Sequence, residues 1–362
     1  MPPFTNIPLS PAELSYLHTS LSQTPPLRPD GRSPTDFRPL VAETDILPSA
    51  NGSARICFAD GTEAVVGVKA EVERSLGLGV EAGDGDVDMD EEDGGGVGLG
   101  ERGKKSRGRG EWLEVAIEIP GVRDDDALPV FLSAMLSEAL LADGGLKERL
   151  WINARFHWRL YVDVFLLSSP LSYPLPLLSL TTHLALLSTR LPALISEKDE
   201  DPLFNDDWEA SLYLYPRASE PAAQTLKPPF TLLVMSVGEN IIFDPSREEL
   251  SVAESVLAIS ASPSTSISNS NNNNTLNMVA LRTIDPPSRL TGSAVPNSIT
   301  AGGPSLTSAE ILALREKDQG QSVWRPPRGG IPRALVSKMI KMVVEKGGVG
   351  EEVLAALAGV GT

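Results

Sequence analysis

A strand pair joined by a tight turn is the feature of this sequence that most restricts its fold. Apolar and polar side chains alternate over residues 53–59, as in a strand with one buried face. Asp60-Gly61 is a turn pair that favours a β-hairpin, and residues 64–72 predict the returning strand. Residues 37–44 predict an extended strand before the hairpin. The apolar side chains expected to face the core are Ala54, Ile56 and Phe58.

A charged segment, Arg28-Pro29-Asp30-Gly31-Arg32, precedes this hairpin and predicts a tight turn with a guanidinium group on each side. The turn carries more charge than folding alone requires. Two roles stay open for Arg28, Asp30, Gly31 and Arg32. They attach the N-terminal helix to the sheet, or they form a subunit contact.

Strands and helices alternate along the rest of the chain. Ser10-Pro11-Ala12-Glu13 is a capping box that predicts a helix start. Residues 164–189 carry no Asp, Glu, Lys or Arg, but their prolines and their change of period indicate a buried strand followed by a buried helix, not a membrane span. Further strands are predicted over residues 112–119, 157–167, 211–215, 230–237, 241–243, 251–260 and 276–285, and further helices over 126–142, 175–190, from 307 and over 331–346.

This order of elements predicts an α+β fold of two α/β layers, in which mixed sheets have helices packed on one side. In the helix over residues 126–142, the side chains expected to face inward are Leu128, Phe131, Leu132, Met135, Leu136 and Ala139.

The composition divides the chain into an N-terminal helix and lead-in (1–26), a core (27–260) and a C-terminal part (261–362). Residues 74–110 interrupt the core with glycine and charge, including eight acids over 81–93. Such a segment lacks the apolar surface that offsets chain entropy, so a disordered charged insertion is expected. Low-complexity segments predict two further loops, at 262–275 and 286–305.

Charge and cysteine content narrow the function. The 362 residues carry a net charge of −17, which argues against a free-standing nucleic-acid binder but permits a local basic rim or a channel completed by other subunits. Cys57, the single cysteine, cannot form an internal disulfide, and this favours a reducing compartment.

The sequence contains residues that can occur in cofactor and metal sites, but their neighbours and spacing do not fit such sites. Residues 98–103 match the G-x-G-x-x-G pattern, but no strand precedes them and no helix follows, as dinucleotide binding requires. The three histidines, His18, His157 and His183, lie far apart and show no metal-ligand spacing. We therefore expect neither a cofactor nor a metal.

The amino-acid sequence of the hairpin resembles the N-terminal segment of the RNase PH family, which includes the ring subunits of the RNA exosome. The resemblance rests on Asn51-Gly52-Ser53-Ala54-Arg55 and on Gly67-Val68-Lys69-Ala70-Glu71. It is strong over residues 27–72, moderate over 158–192 and 228–260, and weak from 276 onward.

The resemblance also implies which catalytic groups to look for. Active members of the family use phosphate to cleave the last phosphodiester of RNA, which needs arginines to hold anions and carboxylates as acid or metal ligand. The helix over residues 126–142 carries no arginine, and Asp206-Asp207 lack the motif that surrounds the paired aspartates of active members. Residues 244–249 resemble a segment of the non-catalytic ring subunits. A non-enzymatic subunit is therefore expected, with an active phosphorolytic exoribonuclease as the alternative.

For such a subunit the resemblance implies a structural role in the exosome core ring, which threads RNA for 3′-to-5′ degradation and processing. Its expected partners are other RNase PH-like ring subunits, RNA-binding cap subunits and RNA, without a membrane, in the nucleus, nucleolus and cytoplasm. The basic residues after the acidic run are RNA-binding candidates, or simply part of a solvated loop. These candidates are Arg102, Lys104, Lys105, Arg107 and Arg109.

Overall fold

The computed structural model describes most of the chain, with several gaps. The described residues are 9–75, 108–142, 144–168, 171–196, 200–216, 227–263, 276–285 and 331–360. Several sequence predictions lie outside them: most of the insertion at 74–110, nearly all of the loop at 262–275, the loop at 286–305 and the helix starting at residue 307.

A mixed five-stranded sheet forms the first half of the fold. Its strand order is β1-β2-β3-β5-β4, with β4 and β5 parallel and the other pairs antiparallel. Helices α2 and α4 pack on one face of this sheet, and α3 links α2 to β5. The bounds are β1 Leu40–Thr44, β2 Gly52–Phe58, β3 Glu63–Arg74, β4 Leu113–Glu118, α2 Ala127–Ala142, α3 Gly145–Arg149, β5 Phe156–Leu166 and α4 Leu175–Ser188.

An antiparallel four-stranded sheet forms the second half, in the order β11-β10-β8-β9. Two-residue strands β6 and β7 pair between the two halves of the sequence. The bounds are β6 Arg190–Leu191, β7 Leu212–Tyr213, β8 Phe230–Val237, β9 Asn240–Phe243, α5 Arg247–Leu250, β10 Ser255–Pro263, β11 Leu276–Ile284, α6 Arg333–Val344 and α7 Val349–Ala358.

Helix α4 lies between the two sheets, against β2 and β3 of the first and β8 of the second. Its residues are buried on all sides except at Leu187, as expected for a helix without a polar face. The other face of the second sheet is covered by α1 (Pro11–Leu21), whose Leu17 and Leu21 join a core with Leu233, Met235 and other apolar residues. The central helix therefore joins the two sheets into one core.

Most predicted elements are confirmed. Ser10 and Glu13 form the capping box of α1. The hairpin turns at Asp60-Gly61, and the three side chains expected to face the core from its first strand are buried. The α+β class and the mixed sheet are also confirmed. None of the helices in the described residues is long and apolar enough to span a membrane.

Four details of the sequence reading were wrong. Phe131 is exposed, because the buried stripe of α2 runs through Leu132, Met135 and Leu136, and Phe131 lies one position outside it. The strand expected from residue 251 begins at Ser255, because the preceding residues complete the turn after α5. Strand β7 covers only two residues of the expected 211–215. Helices α3, α5 and α7 were not predicted.

Candidate functional site

The turn predicted at residues 28–32 is formed as expected. Gly31 has a φ of 76°, in the left-handed region that glycine adopts without a steric cost. Its amide donates to the carbonyl oxygen of Arg28 over 3.1 Å. One carboxylate oxygen of Asp30 accepts from the backbone N of Arg32 over 3.1 Å, and the other from its Nε over 2.6 Å. The turn therefore holds its two arginines in fixed positions.

Arg28 reaches across to the second sheet. Its Nε and Nη2 donate to the two carboxylate oxygens of Glu249 over 2.8 and 2.9 Å, and both side chains are fully buried. The remaining donors meet the carbonyl oxygens of Ser33, Asp36, Phe243 and Asp244 at 3.0–3.4 Å. Glu249 also completes the capping box of α5, where it accepts from the amide of Ser246 over 2.7 Å. Every donor of this guanidinium group is thus satisfied within the chain.

Asp244 binds two further arginines, Arg32 of the turn and Arg38 shortly after it. Its carboxylate accepts from Nη1 of Arg32 over 2.8 Å and from Nη2 of Arg38 over 2.6 Å. It also accepts from the backbone N of Arg38 over 2.8 Å. Burial acts to raise the pKa of Asp244, but the hydrogen bonds and charge of Arg38, helped by Arg32, outweigh burial and hold the pKa below its ordinary value.

Arg38 extends the same network into the first sheet. Its Nη1 donates to Asp60, in the hairpin turn, over 2.5 Å and to Ser172 over 2.9 Å. Its guanidinium carbon lies 4.6 Å from the centre of the Phe58 ring. We call these groups the arginine cluster: Arg28, Arg32 and Arg38 with Asp30, Asp60, Asp244 and Glu249. The cluster joins the segment before β1, the hairpin turn and the β9–α5 connection.

The arginine cluster has little capacity to bind an anion, because its guanidinium groups are already hydrogen-bonded within the chain. Three guanidinium groups face four carboxylates, so bound phosphate would have to displace a carboxylate that is already hydrogen-bonded. Asp30 is the most exposed member, with 38% of its side chain accessible, and Arg32 is at 13%. The interior of the cluster, which we call the clamp, connects three parts of the chain by hydrogen bonds, and its most accessible members are Asp30 and, at 23%, Asp60.

The stems of the charged insertion meet at His157. The Nδ1 of His157 lies 2.9 Å from the hydroxyl of Ser75 on the outgoing stem, and its ring stacks on Trp112 of the returning stem at 4.4 Å. Burial lowers the pKa of His157, the charge of Glu73 opposes this, and Arg159 and Arg109 add to the lowering. Arg109 is exposed on the returning stem. The other four RNA-binding candidates, at 102, 104, 105 and 107, lie outside the described residues.

The groups compared above with a phosphorolytic site do not come together. Helix α2 carries no arginine. Asp206 and Asp207 are exposed, and Asp207 accepts from the amide of Glu209 as the N-cap of a short 3-10 helix. Within the described residues, no group of three or more His, Cys, Asp or Glu side chains is arranged to hold a metal ion.

Sequence reasoning found one side of the arginine cluster and missed the other. The charged turn and residues 244–249 stand out in the sequence, but no sequence pattern predicts a role for Arg38, Asp244 or Glu249. The capping pattern Ser246-x-x-Glu249 was a readable signal for the start of α5. No local pattern could show that Glu249 would face Arg28, because the two are 221 positions apart.

Comparison with known proteins identifies the family. The chain is 33% identical over 260 residues to exosome complex component RRP42 of Saccharomyces cerevisiae, which covers 70% of this chain and 82% of that protein. It is also 33% identical over 277 residues to exosome complex component rrp42 of Schizosaccharomyces pombe, covering 71% of this chain and 79% of the relative. No family model matches the sequence.

Among solved structures, an Archaeoglobus fulgidus exosome with RNA bound to the active site is similar to this fold at a TM-score of 0.49 and 20% identity. That similarity covers 85% of this chain and 98% of the archaeal one. The family assignment rests on the two yeast relatives, which align along most of both sequences. The chain belongs to the RRP42 family of exosome complex components.

Proposed function

We propose that this chain is a non-catalytic structural subunit of the exosome core ring. The observation that carries the proposal is its similarity, over most of its length, to two exosome complex components. In this role the chain completes the ring and contributes a wall of the channel that threads RNA for 3′-to-5′ degradation and processing, including maturation of ribosomal RNA and decay of messenger RNA. Its partners are the other RNase PH-like ring subunits, the RNA-binding cap subunits and RNA, in the nucleus, nucleolus and cytoplasm.

Two features support a non-catalytic role. Phosphorolysis needs arginines that are free to hold inorganic phosphate and the RNA phosphates. Helix α2 has no arginine, and the three arginines of the arginine cluster are engaged with the protein's own carboxylates. The alternative, an active phosphorolytic exoribonuclease, would require a separate set of anion-binding groups.

Assembly is the first test of the proposal. The full chain is co-expressed with the other exosome core subunits of its own organism, one of which carries an affinity tag. We expect the chain to co-purify in a defined complex with one copy per ring, measured by native mass spectrometry. A stable monomer with no affinity for any RNase PH-like subunit would contradict the proposal.

Activity is the second test. The purified chain is incubated with single-stranded RNA, with and without phosphate, and nucleoside diphosphates are measured. We expect no product. Release of diphosphates that depends on phosphate, and that is abolished in the Asp206→Asn/Asp207→Asn variant, would favour the phosphorolytic alternative.

A further inference from the structure

An irregular hairpin after α4 exposes an unusual number of large apolar side chains. We call it the excursion: the described residues 190–196 and 200–216, which lead from α4 towards the second sheet. The exposed fractions are 45% for Leu194, 55% for Ile195, 62% for Leu203, 48% for Trp208 and 65% for Leu212. Single exposed apolar residues are normal on a protein surface, but a group of five in one short segment indicates an interaction site.

The excursion presents these side chains on a fixed frame. Leu194 and Phe204 form an antiparallel bridge, which places Ile195 opposite Leu203, and the amide of Ile195 donates to the carbonyl oxygen of Leu203 over 2.8 Å. The ring of Phe204 packs on Trp158, with the centroids 4.9 Å apart. Phe204 therefore anchors the hairpin to the core.

Two polar contacts hold the rest of the frame. The Nδ2 of Asn153 donates to the carbonyl oxygen of Glu200 over 3.0 Å. Asp207 caps the short helix that carries Trp208. A surface fixed in this way loses little conformational entropy when a partner binds.

The charged residues of the excursion are mainly acidic, although Arg149 and Arg155 contact it from neighbouring parts of the chain. Its described residues include five acids, all exposed, and a single base, Arg190. The acids are Glu200, Asp201, Asp206, Asp207 and Glu209. One of them, Asp201, is paired with Arg155 over 3.1 Å, and both side chains are more than half exposed. Exposed apolar side chains and exposed acids therefore occur together on the excursion, and we call the five acids its acidic rim, since protein–protein interfaces combine apolar contacts with a polar rim.

We propose that the excursion is a docking surface for a neighbouring exosome subunit that presents apolar side chains within a basic surface. This inference rests on the proposed function, and it specifies where one neighbour binds and what chemistry that neighbour offers. Trp208 and Leu203 are the anchors, because Trp208 is the largest exposed apolar side chain of the excursion and Leu203, 62% exposed, lies on the fixed frame opposite exposed Ile195. The acidic rim orients the partner.

The charges argue against the other occupants. RNA would bring its phosphates against five carboxylates, which disfavours binding even though a tryptophan can stack on a base. A second copy of this chain would bring an identical acidic rim, and like charges across an interface are costly. A different subunit with a basic surface is the occupant that the excursion fits.

Competitive assembly tests the proposal. Wild-type chain and a Leu203→Asp/Trp208→Asp variant, with distinguishable tags, are co-expressed with a limiting amount of the other core subunits. We expect the variant to be about tenfold or more under-represented in the assembled complex, measured by quantitative mass spectrometry. The matched control is Tyr16→Asp, which places a charge at a 72% exposed aromatic residue on α1 and should compete equally with wild type.

A second variant tests the rim without touching the anchors. Asp206→Lys/Glu209→Lys reverses two exposed charges and should also reduce incorporation, with an effect that shrinks as salt is raised. If the anchor variant has a lower melting temperature than wild type, its reduced incorporation could reflect poor folding, and the charge-reversal variant then decides the test.

Equal incorporation of wild type and both variants would overturn the docking proposal and leave the proposed function intact. Failure of the wild-type chain itself to assemble would refute the proposed function instead. If the variants assemble normally but lose RNA cross-links at the excursion, the proposal is overturned in favour of nucleic acid. If the wild-type chain forms a homodimer that the variants disrupt, the proposal is overturned in favour of self-association.

Discussion

Arg28 and Glu249 form a two-point ion pair across 221 positions of sequence, and neither side chain has any access to solvent. A charge pair removed from water in this way is stable only while both partners are present, because either one alone would be a buried, uncompensated charge.

Breaking this pair should therefore destabilise the fold strongly. We expect Arg28→Met to lower the free energy of unfolding by about 3–5 kcal/mol. Adding Glu249→Gln should recover part of the loss, because no buried charge is then left unpaired. Urea denaturation followed by tryptophan fluorescence measures both variants. Arg123→Met is the control, since Arg123 pairs with Asp125 on the surface and its side chain is 81% exposed. A loss in Arg28→Met no larger than in this control would contradict the clamp.

His183 should make stability depend on pH. It is buried inside α4, neither ring nitrogen has a hydrogen-bond partner of good geometry, and burial, followed by the charge of Lys227, lowers its pKa to about 4. Because the folded pKa lies below the ordinary value near 6.5, the unfolded chain takes up a proton first. The contribution of neutral His183 to the free energy of unfolding is therefore complete above about pH 6.5 and declines as the pH falls towards 4. At pH 5 it has fallen by about 2 kcal/mol.

The variant His183→Leu should lose this part of the pH dependence, measured as the free energy of unfolding between pH 5 and 7.5. Phe230→Leu is the control, because Phe230 packs edge-on against the His183 ring, 6.2 Å away. It should reduce stability at every pH and leave the slope unchanged. An unaltered slope in His183→Leu would show that other groups cause the pH dependence.

Gly52 should tolerate no side chain. A Cβ atom at this position would lie 2.4–2.6 Å from the side-chain oxygen and backbone of Thr189 at the end of α4. Gly52→Ala forces the hairpin and the helix apart, and we expect a loss of about 1–3 kcal/mol or a failure to fold.

The control for this position is Gly121→Ala. Gly121 has a φ of 78°, but a Cβ atom added there would meet no other atom within 4 Å, so only backbone strain of about 1 kcal/mol opposes the change. Melting temperatures measured side by side separate the two effects. Equal losses would mean that the contact between Gly52 and α4 is unimportant.

The basic residues of the charged insertion should contribute to RNA affinity without sequence preference. We expect replacement of Arg102, Lys104, Lys105, Arg107 and Arg109 by Gln to weaken RNA binding of the assembled complex and to reduce the dependence of affinity on salt. Fluorescence anisotropy at several salt concentrations, with poly-U and mixed-sequence RNA, measures both. The control replaces Lys338 and Lys341 on α6 by Gln. Unchanged affinity and unchanged salt slope would assign these bases to a solvated loop.

Sequence patterns predicted the parts of this fold that depend on local interactions. The hairpin at Asp60-Gly61 follows from turn chemistry, the helix start at Ser10 from capping, and the strand over 230–237 from a short, almost continuous apolar run. The same local pattern misled at Phe131, because its inward or outward placement depends on how α2 is rotated on the sheet. That rotation is a property of the packed structure.

The candidate site was predictable only in part. The charged turn at Arg28 and Arg32 was visible, because five unusual residues stand together. Its partners Asp244 and Glu249 belong to another part of the chain, and no spacing rule connects groups more than 200 positions apart. The excursion was missed for a related reason, since only the packed structure shows that Trp208 and Leu203 remain uncovered.

The position of α4 between the two sheets has a consequence for how the chain is made. Translation delivers α4 well before β8, so the nascent helix leaves the ribosome with one apolar side uncovered. The ion pair of Arg28 forms later still, because its partner Glu249 is synthesised 221 residues after it. At 5–20 residues per second this delay is about 10–45 s. We therefore expect the partly synthesised chain to expose apolar surface that chaperones can bind, until the second sheet covers α4 and Glu249 pairs with Arg28.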